Sequence, residues 1–143
     1  MANKKGFGVE ISLYPLLVAA SGAVPVHYVM APDGSSPPYV VYQRIATRFD
    51  PTLTNVSQFT VVMVQIDVFD TLADLAASRM YEIKNQLRGK RFPGGYEDEI
   101  SGLIFENEYV GIDPFEKAHR RTLIIKVMLR EASSDLGDGG ELP

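Results

Sequence analysis

Carboxylates are the groups gathered most densely in this sequence. Glu97, Asp98 and Glu99 stand together and Glu106 and Glu108 follow closely, a set that could collect a cation or supply an acid and a base. The first three adjoin the glycine-bearing run KRFPGGY, and the other two alternate along an extended stretch, where carboxylates are ordinarily solvated. His27 and His119 have no partner at metal-ligand spacing. With no cysteine there is no disulfide framework, thiolate ligand or thiol nucleophile. Gly89, Gly94 and Gly95 lack the spacing and the strand-to-helix setting of a phosphate cradle, and Ser57 and Ser78 are not set in a nucleophile elbow. The expectation is a protein that is not an enzyme and has no catalytic residues, no cofactor and no metal.

A second set of residues suits binding. Arg88, Lys90 and Arg91 lie near Phe92 and Tyr96, a mixture that can stack on and neutralise nucleic acid. Cations at that point also complement the dipole of a helix ending there. His119-Arg120-Arg121 allows the same two readings, a cationic patch or a hairpin flank balanced by Glu116. Phe49, Leu53, Val56 and Phe59 surround one turn-rich tip, and Phe115 stands in another. Either these apolar residues meet another molecule, or the tips fold back and bury them.

The most legible stretch, Ser57 to Gly89, reads as a strand feeding a helix. Thr60, Val62, Val64, Ile66 and Val68 share one face of an extended segment, while Val61, Met63, Gln65, Asp67 and Phe69 share a mixed one. That asymmetry is expected where helices cover one face of an antiparallel sheet. Leu72, Leu75, Ala76, Met80, Ile83 and Leu87 then recur at helical steps. Thr71 with Asp74 fits a capping box, Asp70 is an alternative cap, and Gly89 stands where a left-handed C-cap belongs.

Before this stretch, Val9, Leu13, Leu16, Leu17 and Ala20 fall on one helical face with Gly22 as the stop. Pro15 lies harmlessly in the first turn if Ser12 is the cap, or kinks the helix if it starts near Gly8. Val26 to Met30 reads as a short edge-type strand and Tyr39 to Arg48 as a full one, joined to the central strand through the turn-rich residues 49–56 as a long hairpin. After the loop Lys90 to Ser101, Leu103 to Tyr109 and Leu123 to Leu129 form a second hairpin around Gly111–Pro114. Leu123, Ile125, Val127 and Leu129 face the core there, with Thr122, Lys126 and Arg130 outward. The fold class is therefore α+β, with an antiparallel sheet of about four strands and two helices packed on one face and no need of parallel crossovers.

The 143 residues, 45% of them hydrophobic, suit one domain over residues 1–132, with residues 1–8 frayed and 133–143 a disordered tail. A formal charge of -4 argues against a general nucleic-acid-coating surface. No run approaches the ~20 apolar residues that span a bilayer, so a soluble, unexported protein without membrane contact is expected.

Four phrases resemble the tail-completion, or tail-terminator, proteins of long-tailed bacteriophages: LYPLL in the early helix, PPYVVYQRI opening the first full strand, QIDVFDTLADLAASRMYEIKNQLRG, and DPFEKAHRRTLIIKVMLRE at the end. The resemblance covers residues 9–131 and departs at the long hairpin tip and the 90–101 loop. It implies a virion protein that forms a ring, typically a homohexamer, at the head-proximal end of the tail tube. Such a ring ends tube polymerisation and offers a head-to-tail joining surface. The implied partners are further copies of itself, the tail-tube protein and the head connector or neck protein, with DNA at most passing through the lumen. The implied location is the virion tail, assembled in the host bacterial cytoplasm.

An open sheet edge and apolar tips suit ring closure between identical subunits, and a net negative charge could line a lumen that DNA passes without sticking. Arg48, Phe49, Asp50 and Leu53 are the candidates for the oligomer or tube interface. Phe92, Tyr96 and Glu97 are the candidates for a partner surface. A neck or head-closure protein, a tail-tube subunit, and a small ligand-binding domain or enzyme are the alternatives. Shortening the residue 48–58 tip should leave the monomer folded by circular dichroism and abolish ring or tube binding; assembly that survives would reject these residues as the interface.

Overall fold

Val62, Val64, Ile66 and Val68, alternating along one strand face, are completely buried. The elements built around them are α1 (Gly8–Ser21), β1 (Val26–Tyr28), β2 (Tyr39–Phe49), β3 (Phe59–Asp70), α2 (Ala73–Leu87), β4 (Asp98–Asp113) and β5 (Ala118–Glu131). The structure, a computed structural model, describes residues 8–49, 59–88, 98–115 and 117–131. Residues 1–7 of the expected frayed end, the 50–58 tip, Gly89 as C-cap, residues 89–97, Glu116, residue 132 and the expected 133–143 tail lie outside them, whereas Gly8 of that end is buried in α1.

The class is α+β, with five strands in the order β1-β2-β3-β5-β4. Val9, Leu13 and Leu17 of α1 and Ala76, Met80, Ile83 and Leu87 of α2 share one buried cluster with Val40, Tyr42, the apolar face of β3, and Leu123, Ile125, Val127 and Leu129 of β5. Both helices therefore lie on the same side of the sheet. Each fully buried Leu, Ile or Val there contributes about 1.5–3 kcal/mol by leaving water.

The expected sheet needs two corrections. First, the strands number five, and β1 pairs parallel with β2, Val26 opposite Val40. Residues 29–38 carry the chain back to the level where β1 began, so β2 must start alongside it in the same direction. Second, β3 and β4 both run antiparallel to β5 and so parallel to each other, which makes β3-α2-β4 a parallel crossover with β5 inserted afterwards. A helix of 15 residues rises about 22 Å, against the roughly 36 Å spanned by the 12 residues of β3, so α2 makes more than half of the return.

Local expectations changed where tertiary contacts outweighed a cap or a turn. α1 starts at Gly8, not Ser12, and continues past Pro15, because Val9 and Glu10 in its first turn are already buried. α2 begins at Ala73 with Leu72 as N-cap and no side-chain capping bond. The Asp70 carboxylate accepts instead from the Thr71 N–H at 2.7 Å and the Arg79 Nε–H at 2.6 Å, so the Thr71–Asp74 box gives way to a strand-to-helix clasp. Leu72 and Leu75 of the expected stripe are exposed, since the helix bears on the sheet only from Ala76 onward. The second hairpin turns beyond Asp113, not at Gly111, and its strands are longer than their apolar cores. Thr122 lies on the outward face yet is buried, because it hydrogen-bonds to Asp67.

Glu10, 1% exposed, ties α1 to the sheet. Its carboxylate accepts from Arg44 Nη2 and Nε, both at 2.8 Å, and from the Tyr28 hydroxyl at 3.1 Å, while the Tyr42 hydroxyl donates to its backbone carbonyl at 3.3 Å. Burial first, and the Glu10 charge second, push the Tyr42 phenol up to about 12. Removing one partner of such a pair strands the other. Glu10→Ala should therefore cost on the order of 3 kcal/mol in urea unfolding. The double change Glu10→Leu with Arg44→Met should recover most of that loss; an equal loss in both variants would mean the pair is not what fastens α1.

Candidate functional site

Of the five clustered carboxylates, Glu97 and the side chains of Asp98 and Glu99 lie outside the described residues, and Glu106 and Glu108 hold the sheet together. Glu106 pairs with Lys126 Nζ at 3.0 Å. Glu108 accepts from Lys84 Nζ at 2.6 Å and from Arg121 Nη1 at 3.0 Å, linking β4 to α2 and β5. Burial alone would raise the Glu108 carboxyl, but the hydrogen bonds and charges of Lys84 and Arg121 outweigh it and hold the group below its ordinary value. Among the described residues no group of three or more histidine, aspartate or glutamate side chains is placed to hold a metal. His27 meets the Tyr39 ring edge-on at 6.2 Å, and His119 lies opposite Asp70 and Ile112 in the sheet.

The basic runs divide in the same way. Arg88 lies 5.3 Å over the Phe105 ring and bonds Asn85 within its own helix turn, while Lys90 and Arg91 lie outside the described residues. Arg120 and Arg121 fall on opposite faces of β5. Arg120 donates to Asp67 at 3.1 Å and lies 5.5 Å over the Phe69 ring, whereas Arg121 turns to Glu108. They do not form one cationic patch. A shallow depression of about 180 Å³ lined by Tyr109, Val110, Gly111, Ile112, Arg120 and Thr122 is smaller than the ~300 Å³ at which small-molecule pockets begin.

What the described residues do present is apolar surface at a sheet margin. Arg48 and Phe49 close β2, both exposed, with Phe49 68% accessible. Asp50 and Leu53 of the same predicted interface, and Phe92, Tyr96 and Glu97 of the predicted partner surface, lie outside the described residues. Phe115 in the β4–β5 turn is 93% accessible.

The concentration of exposed apolar residues on β4 was missed in the sequence. Ile104, Tyr109, Val110 and Ile112 are all exposed, and Val110 and Ile112 are about 70% accessible. Register places Tyr109 opposite Thr122 on the uncovered face, and Val110 and Ile112 opposite Arg121 and His119 on the helix side. The signal was the alternation across Gly111, read as a turn because glycine usually breaks a strand. Here Gly111 pairs with Arg120 inside the ladder, and a Cβ on it would meet open space.

No protein-family model and no curated protein matches this chain. Among solved structures its fold is similar to a chain from the virion of a native gene transfer agent particle, with a TM-score of 0.62 and 14% identity. The match covers 86% of this chain and 95% of that one. At that identity the likeness is one of fold.

The Glu108 junction gives a pH prediction. A carboxyl whose folded pKa lies below its unfolded value contributes stability that is present above the unfolded pKa and lost as pH falls through the folded one. Glu108→Gln should therefore be less stable than the parent at neutral pH by urea unfolding, and the gap should close in acid. A gap that persists unchanged in acid would show that shape, not charge, holds the junction.

Proposed function

We propose that this chain is a structural protein of a phage or phage-like virion, and within that class a tail terminator. The coarser part is supported by one observation above others: nearly the whole length of a virion chain superimposes on nearly the whole of this one. The finer part is supported by the phrases that resemble tail-completion proteins and by exposed apolar residues along β2 and β4. As a terminator it forms a ring, of six copies by that resemblance, at the head-proximal end of the tail tube. It stops tube growth there and offers the surface to which the head connector joins.

The chemistry of the described residues agrees with an assembly role. Glu10, Asp67, Asp70 and Glu108 are each held in hydrogen bonds that fasten one element to another. Binding then falls to apolar and backbone surface, the usual material of subunit contacts. The virion tail is accordingly the proposed location, with the tube protein and the head connector as partners.

Particles made without this chain, viewed by negative-stain electron microscopy, test the reading. Filled heads beside separate tails of irregular length, corrected by adding the purified protein, are the expected result. Tails of normal length beside leaking heads would move the assignment to head closure. Unaided polymerisation of the purified chain into tubes would make it a tube subunit.

A further inference from the structure

Gly111 leaves a gap in the uncovered face of the sheet. It stands opposite Arg120 in the β4–β5 ladder, with Tyr109 two residues before it on the same face, and a Cβ on it would meet nothing within 4 Å. The depression of about 180 Å³ lies at this gap, bordered by Tyr109, Arg120 and Thr122. It is too small for a drug-sized ligand and the right size for one ring, since a cavity of about 150 Å³ holds a benzene molecule. Glycine inside a strand often marks a place where another molecule comes close.

Arg120 makes the space selective. Across the ladder it stands between Phe69 of β3 and Gly111 of β4. Its guanidinium lies 5.5 Å over the Phe69 ring, and its Nε–H donates to Asp67 at 3.1 Å. Asp67, 4% exposed, is itself fixed by donors from Gln65 and Thr122. The head of Arg120 is thus anchored on the β3 side, while its side chain stays 39% exposed and borders the depression on the β4 side. A guanidinium fixed in this way is pre-organised to take a second ring on its open surface. Tyr109, 55% exposed, supplies an aromatic wall to the same space.

We propose that this depression is a site for one aromatic side chain of a partner protein, seated over Gly111 between Arg120 and Tyr109. The existence of a partner rests on the assembly role proposed above, whereas the chemistry rests on the depression. Charge selects a neutral ring over an anion. Asp67 already neutralises Arg120, so a phosphate or carboxylate entering here would gain no net positive charge and would approach a buried carboxylate. A ring stacks on the paired guanidinium and leaves the pair intact. A second copy is a poorer source of that ring. Phe115 lies just beyond β4 at the same margin as the depression, so two copies could exchange it only in mutual pairs about a twofold axis, which the head-to-tail contacts of a ring do not contain. Phe49 stands opposite Thr60, on the helix side of the sheet.

The test uses the full chain labelled with nitrogen-15 and titrated with N-acetylphenylalanine amide, its cyclohexyl counterpart and inorganic phosphate. The phenylalanine compound should shift the amides of Gly111 and Thr122 and the Arg120 Nε–H saturably at millimolar concentration, with the cyclohexyl compound several-fold weaker and phosphate without effect. Gly111→Leu, whose side chain enters space that is open in the parent, should keep the parent's fold and lose the binding. Arg120→Lys keeps the cation, loses the planar group and should weaken binding several-fold. No saturable shift, equal shifts from the cyclohexyl compound or from phosphate, or undiminished binding by Gly111→Leu would overturn the ring site. Shifts at the same amides on raising the parent's own concentration would assign the site to a second copy and overturn the partner. In the particle experiment above, Gly111→Leu should fail to correct tails that the parent corrects, and full correction by it would likewise overturn the partner. A parent that corrects nothing would remove the assembly reading and the partner with it, while the spectra still decide the ring site.

Discussion

The two-residue period of β3 is the constraint on which the rest of the structure depends. It pairs with β2 along one side and β5 along the other, and its four aliphatic residues on one face are wholly buried. A slip of one residue would exchange that face for Val61, Met63, Gln65 and Asp67, and would set a carboxylate beneath the helices. Both α1 and α2 rest on this face, and the residues of β2 and β5 that register opposite it complete the same cluster. Burial on one face thus decides register, helix placement and core membership together.

Covering only one face has consequences for the other. Asp67 sits there almost fully buried, satisfied by Arg120, Thr122 and Gln65. Tyr39, Val41, Phe69 and Ala118 form a smaller cluster at the same end, with Val24 and Ala31 packed against it. The remainder of this face has no second layer among the described residues, and the β4 margin keeps its apolar side chains accessible. The buried carboxylates act as fasteners: Glu10 holds α1 to β2, Asp70 holds the start of α2, and Glu108 joins β4 to α2 and β5. A charge removed from water is retained only where hydrogen bonds replace its hydration, and each of these has at least two.

That arrangement separates described side chains that stand close together in the sequence. Residues adjacent in sequence on a strand point to opposite faces, so Arg120 and Arg121 part company; Glu106 and Glu108, two residues apart, are drawn to different cations because the register shifts between Phe105 and Asn107. Ile104, Tyr109, Val110 and Ile112 of the β4 margin keep apolar side chains exposed. Phe49 and Phe115 were legible there because aromatic residues in turn-rich surroundings are anomalous in any fold. Val110 and Ile112 were not, because Gly111 between them read as the end of a strand.

The sequence by itself determined the α+β class, the face of β3 that is buried, the core residues of β5 and those of α2 from Ala76 onward, and the stop of α1 at Gly22, whose φ of 68° suits a residue without a Cβ. These follow from periodicity and local backbone preference, which are properties of neighbouring residues. Only the tertiary structure decided that β1 runs parallel to β2, that β5 lies between β3 and β4, and that β4 is left at the margin. It alone also brought Glu10 to Arg44 and Asp67 to Arg120, pairs 34 and 53 residues apart. Strand order depends on where a helix returns the chain, and a salt bridge between distant residues depends on that order. No local pattern carries either.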